Sequence, residues 1–374
     1  MLTIQGWLVV ITAVLMVAAG RLFGIVELYI LGAGAAALAV GALVTVARAR
    51  LRLSVDRELH PPRVHAGSPS RVELHVANRA KRRSPMLTLR DPVGEGRSAT
   101  VVVAPLPPEG DVRATYRLPT ERRGILRVGP LSVQVTDPFG LASVSAVAAA
   151  PVELTVWPAI DDVPPVPHTT GDDPHGGTDH PNALTSAGED FYALRAYVMG
   201  DDLRHVHWRS TARRDELMVR QDEMPWQGRV TIVLDTRAAA HSEPTFEQAV
   251  SAAASIVVAC GRRRYLLRLV TTGGHDTGTG AGTAHLDQLL EILATVTLDR
   301  VGDLGRTAAA LRRARGGGSL TVLLGNAGDE QHAIASLRRS FLHATVLSFH
   351  QGDDRPFPER WRVALRTRPG AMIR

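Results

Sequence analysis

Cysteine is nearly missing from this chain of 374 residues: Cys260 is the only one. A large extracytoplasmic domain often carries paired cysteines, so a lone one favours a reducing compartment. Cys260 lies in an apolar stretch that reads as a helix, where it is expected to act as a small buried hydrophobe. Charge is nearly missing from residues 1–47, where Arg21 and Glu27 stand alone. No basic residue precedes the first apolar run, which argues against a cleaved signal peptide. Three catalytic or nucleotide signatures are also absent. The Gly-rich stretch Thr271–Ala284 lacks the Gly-Lys-Ser/Thr ending of a phosphate loop. No Gly-x-Gly-x-x-Gly opens a helix after a strand, and no Gly-x-Ser-x-Gly marks a nucleophile elbow. Neither a catalytic residue nor a cofactor is expected, and Thr271–Ala284 reads as a mobile surface loop.

What is present divides sharply along the chain. Leu8–Ala19 is apolar apart from Thr12, with Trp7 where an interfacial aromatic would sit, and Leu2–Gly20 is long enough to cross about 30 Å of hydrocarbon. A second run, Gly24–Val46, carries Gly32, Gly34 and Gly41 among many alanines, a small-residue surface that lets helices approach closely. Residues 1–50 therefore read as a transmembrane helical hairpin, with the membrane met by residues 2–46. Arg48, Arg50 and Arg52 follow the second run, against Arg21 alone in the turn. The positive-inside rule then places the remaining soluble part in the cytoplasm, at the cell membrane. The net charge of +6 suits nucleic acid, anionic lipid or an acidic protein alike and names no partner.

Residues 51–160 alternate in short runs separated by Gly, Pro and Asn: Arg71–Ala77, Thr100–Val103, Val112–Leu118, Leu131–Thr136 and Val152–Val156. This pattern predicts an antiparallel β-sandwich of immunoglobulin-like type, with Asp137-Pro138-Phe139-Gly140 as a turn. Residues 161–188 are rich in Pro, Gly and His and read as a linker. His168, His175 and His180 fit no standard metal spacing. From 229 to 374 strands alternate with helices: strands at Val230–Asp235, Tyr265–Thr271, Leu320–Leu324 and Ala344–Phe349, and helices at Phe246–Cys260, His285–Val296, Leu304–Arg315 and Glu330–Arg339. That alternation predicts an α/β doubly wound, mostly parallel sheet, making the whole chain a multi-domain α+β protein.

Residues 189–228 form the densest segment, mixing arginines and carboxylates with Phe191, Tyr192, Tyr197 and Trp208. Two roles stay open for it. It is either a structural brace, with Asp201 and Asp202 capping a turn and Trp208 anchoring it, or a contact surface whose arginines grip an acidic partner. His205-x-His207, with Asp201 and Asp202 nearby, is the one arrangement that suggests an enzyme, a metal-dependent hydrolase. It lacks a fixed third ligand.

The string Arg195-x-Tyr197-x-x-Gly200-Asp201-x-x-Arg204-x-x-x-Trp208, followed by Thr211-Ala212-Arg213 and Leu217-x-Val219-Arg220, resembles the signature of the bacterial family called domain of unknown function 58. Arg123-Gly124, Asp137-Pro138-Phe139-Gly140-Leu141 and the paired N-terminal helices fit its pattern too. The resemblance implies a membrane-anchored protein whose residues 229–374 form a von Willebrand factor type A-like domain. It also implies a protein partner, a MoxR-type AAA+ ATPase or a transglutaminase-like protein. The function so implied is an adaptor or scaffold for protein–protein interaction, without catalysis and without nucleic acid. Arg195, Tyr197, Gly200, Asp201, Arg204, Trp208 and Arg213 are its partner-binding or structural signature residues. Type A domains often hold Mg²⁺ through Asp-x-Ser-x-Ser, and here the stretch is Asp235-Thr236-Arg237-Ala238-Ala239. Asp235 then reads as the remnant of a degenerate site that holds no metal, because Arg237 repels a cation and the serine ligands are gone.

Overall fold

The computed structural model describes residues 1–48, 53–166, 191–197, 206–214, 216–222, 228–314, 317–326, 331–350 and 355–366. The chain divides into two compact units. One is residues 1–162 with 250–255 and 286–298; the other is the remainder.

The first unit opens with α1 (Ile4–Phe23) and α2 (Val26–Arg48), joined by a two-residue turn. Thr3 caps α1 by accepting the Gly6 N–H at 3.1 Å. Both helices are long and apolar enough to cross a membrane, and they leave Ile4, Leu8, Leu15, Leu22, Ile30 and Leu31 exposed. Of the three α2 glycines, Gly32 is the one at the close approach: a Cβ there would stand 2.8 Å from Val17 Cγ2, whereas at Gly34 and Gly41 it would meet open space.

After the helices come ten strands in two sheets. The smaller is antiparallel, in the order β1 (Leu53–His60), β3 (Arg71–Asn78), β6 (Asp111–Arg117). The larger runs β2 (Arg63–His65), β10 (Val152–Trp157), β7 (Gly124–Val128), β4 (Leu87–Val93), β8 (Leu131–Thr136), β9 (Ser143–Ala149), with β5 (Arg97–Val103) on β4. Alternation turns Val72, Leu74 and Val76 of one sheet, and Leu87, Leu89, Leu131, Val133, Val135 and Leu154 of the other, into a single core. The sequence reading therefore located a sandwich of antiparallel pairs. The exception is β2, which lies parallel to β10.

A buried ion pair crosses this core. Arg57 Nη1 donates to both Asp91 oxygens at 2.8 and 3.0 Å, and Tyr116 donates to Oδ2 at 2.6 Å. Burial, with the Asp91 charge adding to it, pushes the Tyr116 hydroxyl far above its usual range.

In the second unit β11 (Phe191–Ala196) pairs antiparallel with β12 (Met218–Asp222), and α3 (Trp208–Arg214) lies between them in sequence. The remaining four strands are all parallel, in the order β14 (Leu266–Thr271), β13 (Arg229–Leu234), β15 (Ser319–Leu324), β16 (His343–Ser348). Along residues 243–366, part of α4 and most of α5 counting with the first unit, the helices are α4 (Glu243–Arg262), α5 (Thr283–Thr295), α6 (Leu304–Arg313), α7 (Gln331–Arg338) and α8 (Phe357–Arg366). Central strands buried on both faces must be apolar throughout, and β15 is buried at every position. Leu304, Ala308 and Leu311 of α6 and Ile334 and Leu337 of α7 pack with Val322, Leu324 and Val346 on one face. The helix α8 has no counterpart in the sequence reading. Most of the expected linker lies outside the described residues.

The loop after β14 is not the free surface segment expected from its glycines. It folds back through bridges Leu267–Gly280 and Val270–Asp276, with Arg268 Nε donating to Asp276 Oδ1 at 2.9 Å. The backbone of Thr271–Ala284 is thus held by the edge of the sheet, which composition alone does not reveal.

Candidate functional site

From β13 the chain moves to β14 on one side, then back past β13 to β15 on the other. A sheet that reverses direction in this way opens a crevice at the carboxyl ends of the two strands flanking the reversal. Asp235 follows the last residue of β13 and Gly325 the last of β15, and the Gly325 N–H points at Asp235 Oδ2, 3.3 Å away. The carboxylate is fully buried. Arg237 grips it side-on, Nε to Oδ1 at 2.8 Å and Nη2 to Oδ2 at 2.9 Å. Thr272 donates to Oδ1 at 3.3 Å and accepts the Thr236 N–H at 2.8 Å. Thr271 stays apart, its hydroxyl accepting from His275 N–H at 3.2 Å.

Burial pushes the Asp235 carboxyl upward, but the hydrogen bonds and charge of Arg237 outweigh it and hold it below the usual carboxylate range. His241, buried six residues on, sits with Nε2 3.9 Å from Asp235 Oδ2. Burial pulls its imidazole down, and the nearby Arg237 charge acts in the same direction against Asp235. The crevice therefore holds an ionised carboxylate, a guanidinium and a neutral imidazole. These residues do not fit a hard cation: one carboxylate is present, and a guanidinium already takes up both its oxygens. Among the described residues no three His, Cys, Asp or Glu side chains cluster as a metal would need.

The signature segment is built differently. Arg195 stands opposite Val219 and Ala196 opposite Met218 across β11 and β12, and Tyr197 N–H donates to Leu217 O at 2.7 Å. The Thr211 hydroxyl accepts the Met218 N–H at 3.0 Å, and His207 N–H donates to Met218 O at 2.8 Å, tying α3 to β12. Val206 and Met218 are buried beneath, while Ser210 and Thr211 are half-buried. The outward side of α3 carries Trp208, Arg209, Ala212 and Arg213, all exposed and spaced as neighbours on one helical face. Trp208 is 68% exposed. Of the two roles left open for this segment, an exposed indole suits the contact surface better than the anchor: the inner side of the helix is taken by small hydroxylic residues, so the first residue of α3 projects outward. Gly200, Asp201, Asp202, Arg204 and His205 lie outside the described residues. The His207 ring nitrogen Nδ1 lies 2.9 Å from Ser210 Oγ.

Residues 193–365, from this hairpin through α8, match the family described as "Protein of unknown function DUF58". Over that stretch the chain belongs to the DUF58 family. No curated protein matches the chain. Among solved structures, the CARDB domain of the PF1109 protein from Pyrococcus furiosus is similar to it in two determinations. The crystal structure, with di-metal ions, is 17% identical and the solution structure 18%; each has a TM-score of 0.22 and covers 28% of this chain and 93% of that one. The alkylpurine DNA glycosylase AlkC of Pseudomonas fluorescens, bound to DNA containing an abasic site analog, is 14% identical with a TM-score of 0.21, covering 34% of this chain and 39% of its own. Likeness at that level carries no argument about this protein.

The DUF58 region thus contains both the Asp235 crevice and the exposed face of α3. It also contains Cys260, buried within α4 with its thiol pushed up to about 11 by burial. Sequence reasoning found Asp235 and Arg237 but missed His241 and Gly325. The spacing Asp235 to His241 belongs to no metal pattern, and Gly325 reaches the crevice only because β15 lies beside β13.

Proposed function

We propose that this protein is a membrane-anchored adaptor whose DUF58 region docks a cytoplasmic protein partner through the outward face of α3. The observation that carries the reading is Trp208, an indole 68% exposed and flanked on one helical face by exposed Arg209 and Arg213. Trp and Arg dominate binding hot spots because they combine a large apolar area with directional donors. Two neighbouring guanidinium groups favour a partner surface bearing carboxylates. The apolar helices α1 and α2 supply the anchor. Their outer surfaces have no protein cover over Leu8, Leu15, Leu22, Ile30 or Leu31, a cost that lipid relieves. The arginines after α2 favour the cytoplasmic side for the folded part.

Under this reading the sandwich is immunoglobulin-like, the parallel sheet is a type A-like platform, and the Arg237–Asp235 pair has replaced a metal site. The partner class is a MoxR-type AAA+ ATPase, with a transglutaminase-like protein as a second member of the same assembly. The alternative is a metal-dependent hydrolase at His205, His207, Asp201 and Asp202, of which His207 alone is among the described residues.

The test is affinity capture of the detergent-solubilised chain from its native host, beside a Trp208→Ala/Arg213→Glu variant. Both changes fall on exposed side chains, so the variant should melt with the parent. An AAA+ ATPase recovered with the parent and lost with the variant supports the adaptor. Equal recovery with both moves the contact away from α3, and stoichiometric zinc in the purified chain without a partner favours the hydrolase.

A further inference from the structure

The turn between β8 and β9 is bonded to the start of the membrane-length helix α1. Thr3 N–H donates to Leu141 O at 2.9 Å, the Thr3 hydroxyl donates to Gly140 O at 2.6 Å, and Leu2 forms an antiparallel bridge with Ala142. The approach is as close as backbone permits: a Cβ on Gly6 would stand 2.0 Å from Leu141 O. Leu141 and Ala142 are buried in one cluster with Ala42 and Val46 near the end of α2, and Val9 of α1 packs against it.

The turn holds its own shape. Buried Asp137 accepts the Phe139 N–H at 2.9 Å and the Ala142 N–H at 2.6 Å, while Gly140 N–H donates to Asp137 O at 3.0 Å. Of its two large apolar side chains Leu141 is buried, but Phe139 is left 67% exposed. What sets this exposed ring apart is its place, on a turn bonded to the start of a helix whose own Ile4, Trp7 and Leu8 are also exposed.

Depth follows from helix geometry. α1 has 20 residues, about 30 Å at 1.5 Å per residue, which equals the thickness of the hydrocarbon core. Its first residue must then lie near the boundary, and Val9 only about 8 Å along the axis from it. Phe139 is two residues from Leu141, within about 7 Å of chain. The bonds from Thr3 to Gly140 and Leu141 therefore keep it beside the N-terminal end of α1, at the level of that boundary.

We propose that the Asp137–Ala142 turn is a membrane-interface anchor, with the Phe139 ring seated among the glycerol and headgroup layer of the bilayer beside the N-terminal end of α1. An aromatic ring is favoured at this depth because one face can meet acyl chains while the other stays wet. The consequence is that the sandwich does not swing freely below the helices: its β8–β9 end is fixed to the bilayer surface by three points, α1, α2 and Phe139. The proposal rests on the membrane reading of α1 and α2 given above.

The test separates the two. The full chain carries an environment-sensitive fluorophore at Phe139→Cys, Val14→Cys or Glu95→Cys and is reconstituted into nanodiscs of phosphatidylcholine and phosphatidylglycerol. Glu95 is an exposed residue in the β4–β5 turn, at the opposite end of β4 from the strand register that leads into the 137–142 turn. Buried Cys260 should stay unlabelled, which the unsubstituted chain checks. The expected result is severalfold stronger quenching of the Phe139 probe by lipid spin-labelled near the headgroup than by lipid labelled deep in the chain. Val14 should show the reverse and Glu95 neither. A Phe139 probe as unquenched as Glu95, with Val14 still quenched from the deep label, overturns the anchor and leaves the membrane reading standing; Phe139 is then a contact for protein. An unquenched Val14 overturns the membrane reading and the anchor with it.

Discussion

Arg237 closes on Asp235 as a fork, with two parallel N–H···O bonds at 2.8 and 2.9 Å. The acid has no exposed surface and the base retains 13%. The pair takes up the carboxylate at the one place where this sheet topology opens a crevice, so the crevice is neutralised from within the chain. Arginine suits this position because its planar donors match a carboxylate and its charge persists at any accessible pH.

Removing Arg237 leaves a buried, unpaired carboxylate. Arg237→Met should lower the stability of the DUF58 region by about 3 kcal/mol, the usual cost of breaking a buried pair. The double variant Asp235→Asn/Arg237→Met should recover most of that loss, because no charge remains to be desolvated. Thermal unfolding of the parent, the single variant and the double variant checks both statements. A single variant as stable as the parent would mean that the pair contributes no net stability.

His241 gives the crevice a pH dependence. Its folded-state value lies below the ordinary 6.5, so the unfolded chain binds the proton more readily. Stability should be fully present above about pH 6.5 and should fall as pH drops from there toward the depressed folded-state value. Asp235, held low, adds a second loss only below its ordinary 3.8. In His241→Gln the melting temperature should decline less between pH 6.5 and 5 than in the parent. Parallel curves for the two proteins would remove His241 from this role.

Cys260 should be chemically silent. With the thiol pushed up to about 11 and the side chain buried, little nucleophilic thiolate forms at pH 8. Iodoacetamide should label the native chain negligibly over the time in which the denatured chain is labelled completely. Rapid labelling of native protein would place the thiol at the surface.

Gly6 should tolerate no side chain. A Cβ would stand 2.0 Å from Leu141 O and 3.0 Å from Leu2 Cδ2, so Gly6→Leu has to separate the 137–142 turn from α1. The expected signs are a lower melting temperature and new protease cleavage near Phe139. Gly34→Leu, where a Cβ meets open space, should leave both unchanged.

Elements with a strong period were legible before the structure. The run Val230–Asp235 reappears as β13, shifted by one residue, and Phe246–Cys260 grows by a few residues at either end into α4. In the sandwich, the five runs with clean alternation coincide with β3, β5, β6, β8 and β10. Strands such as β4 were less plain because Asp91 and Pro92 interrupt the alternation. Asp91 is nonetheless buried, since Arg57 arrives from another strand to neutralise it. The signature segment announced itself by composition, but composition carries no direction, so brace and contact surface both stayed open for Trp208 until its exposure was seen.

The amino-acid sequence by itself determined the two apolar helices, the order of strands and helices from β13 to β16, and the identity of Asp235 as a strand-end carboxylate, because each depends on residues near one another in the chain. Tertiary structure alone decided which groups surround that carboxylate, which face of α3 meets solvent, and that a turn at 137–142 is bonded to a helix beginning at Ile4. Those outcomes depend on strand order and on contacts across more than a hundred residues. Local periodicity fixes which side of an element is apolar, but not what lies opposite it.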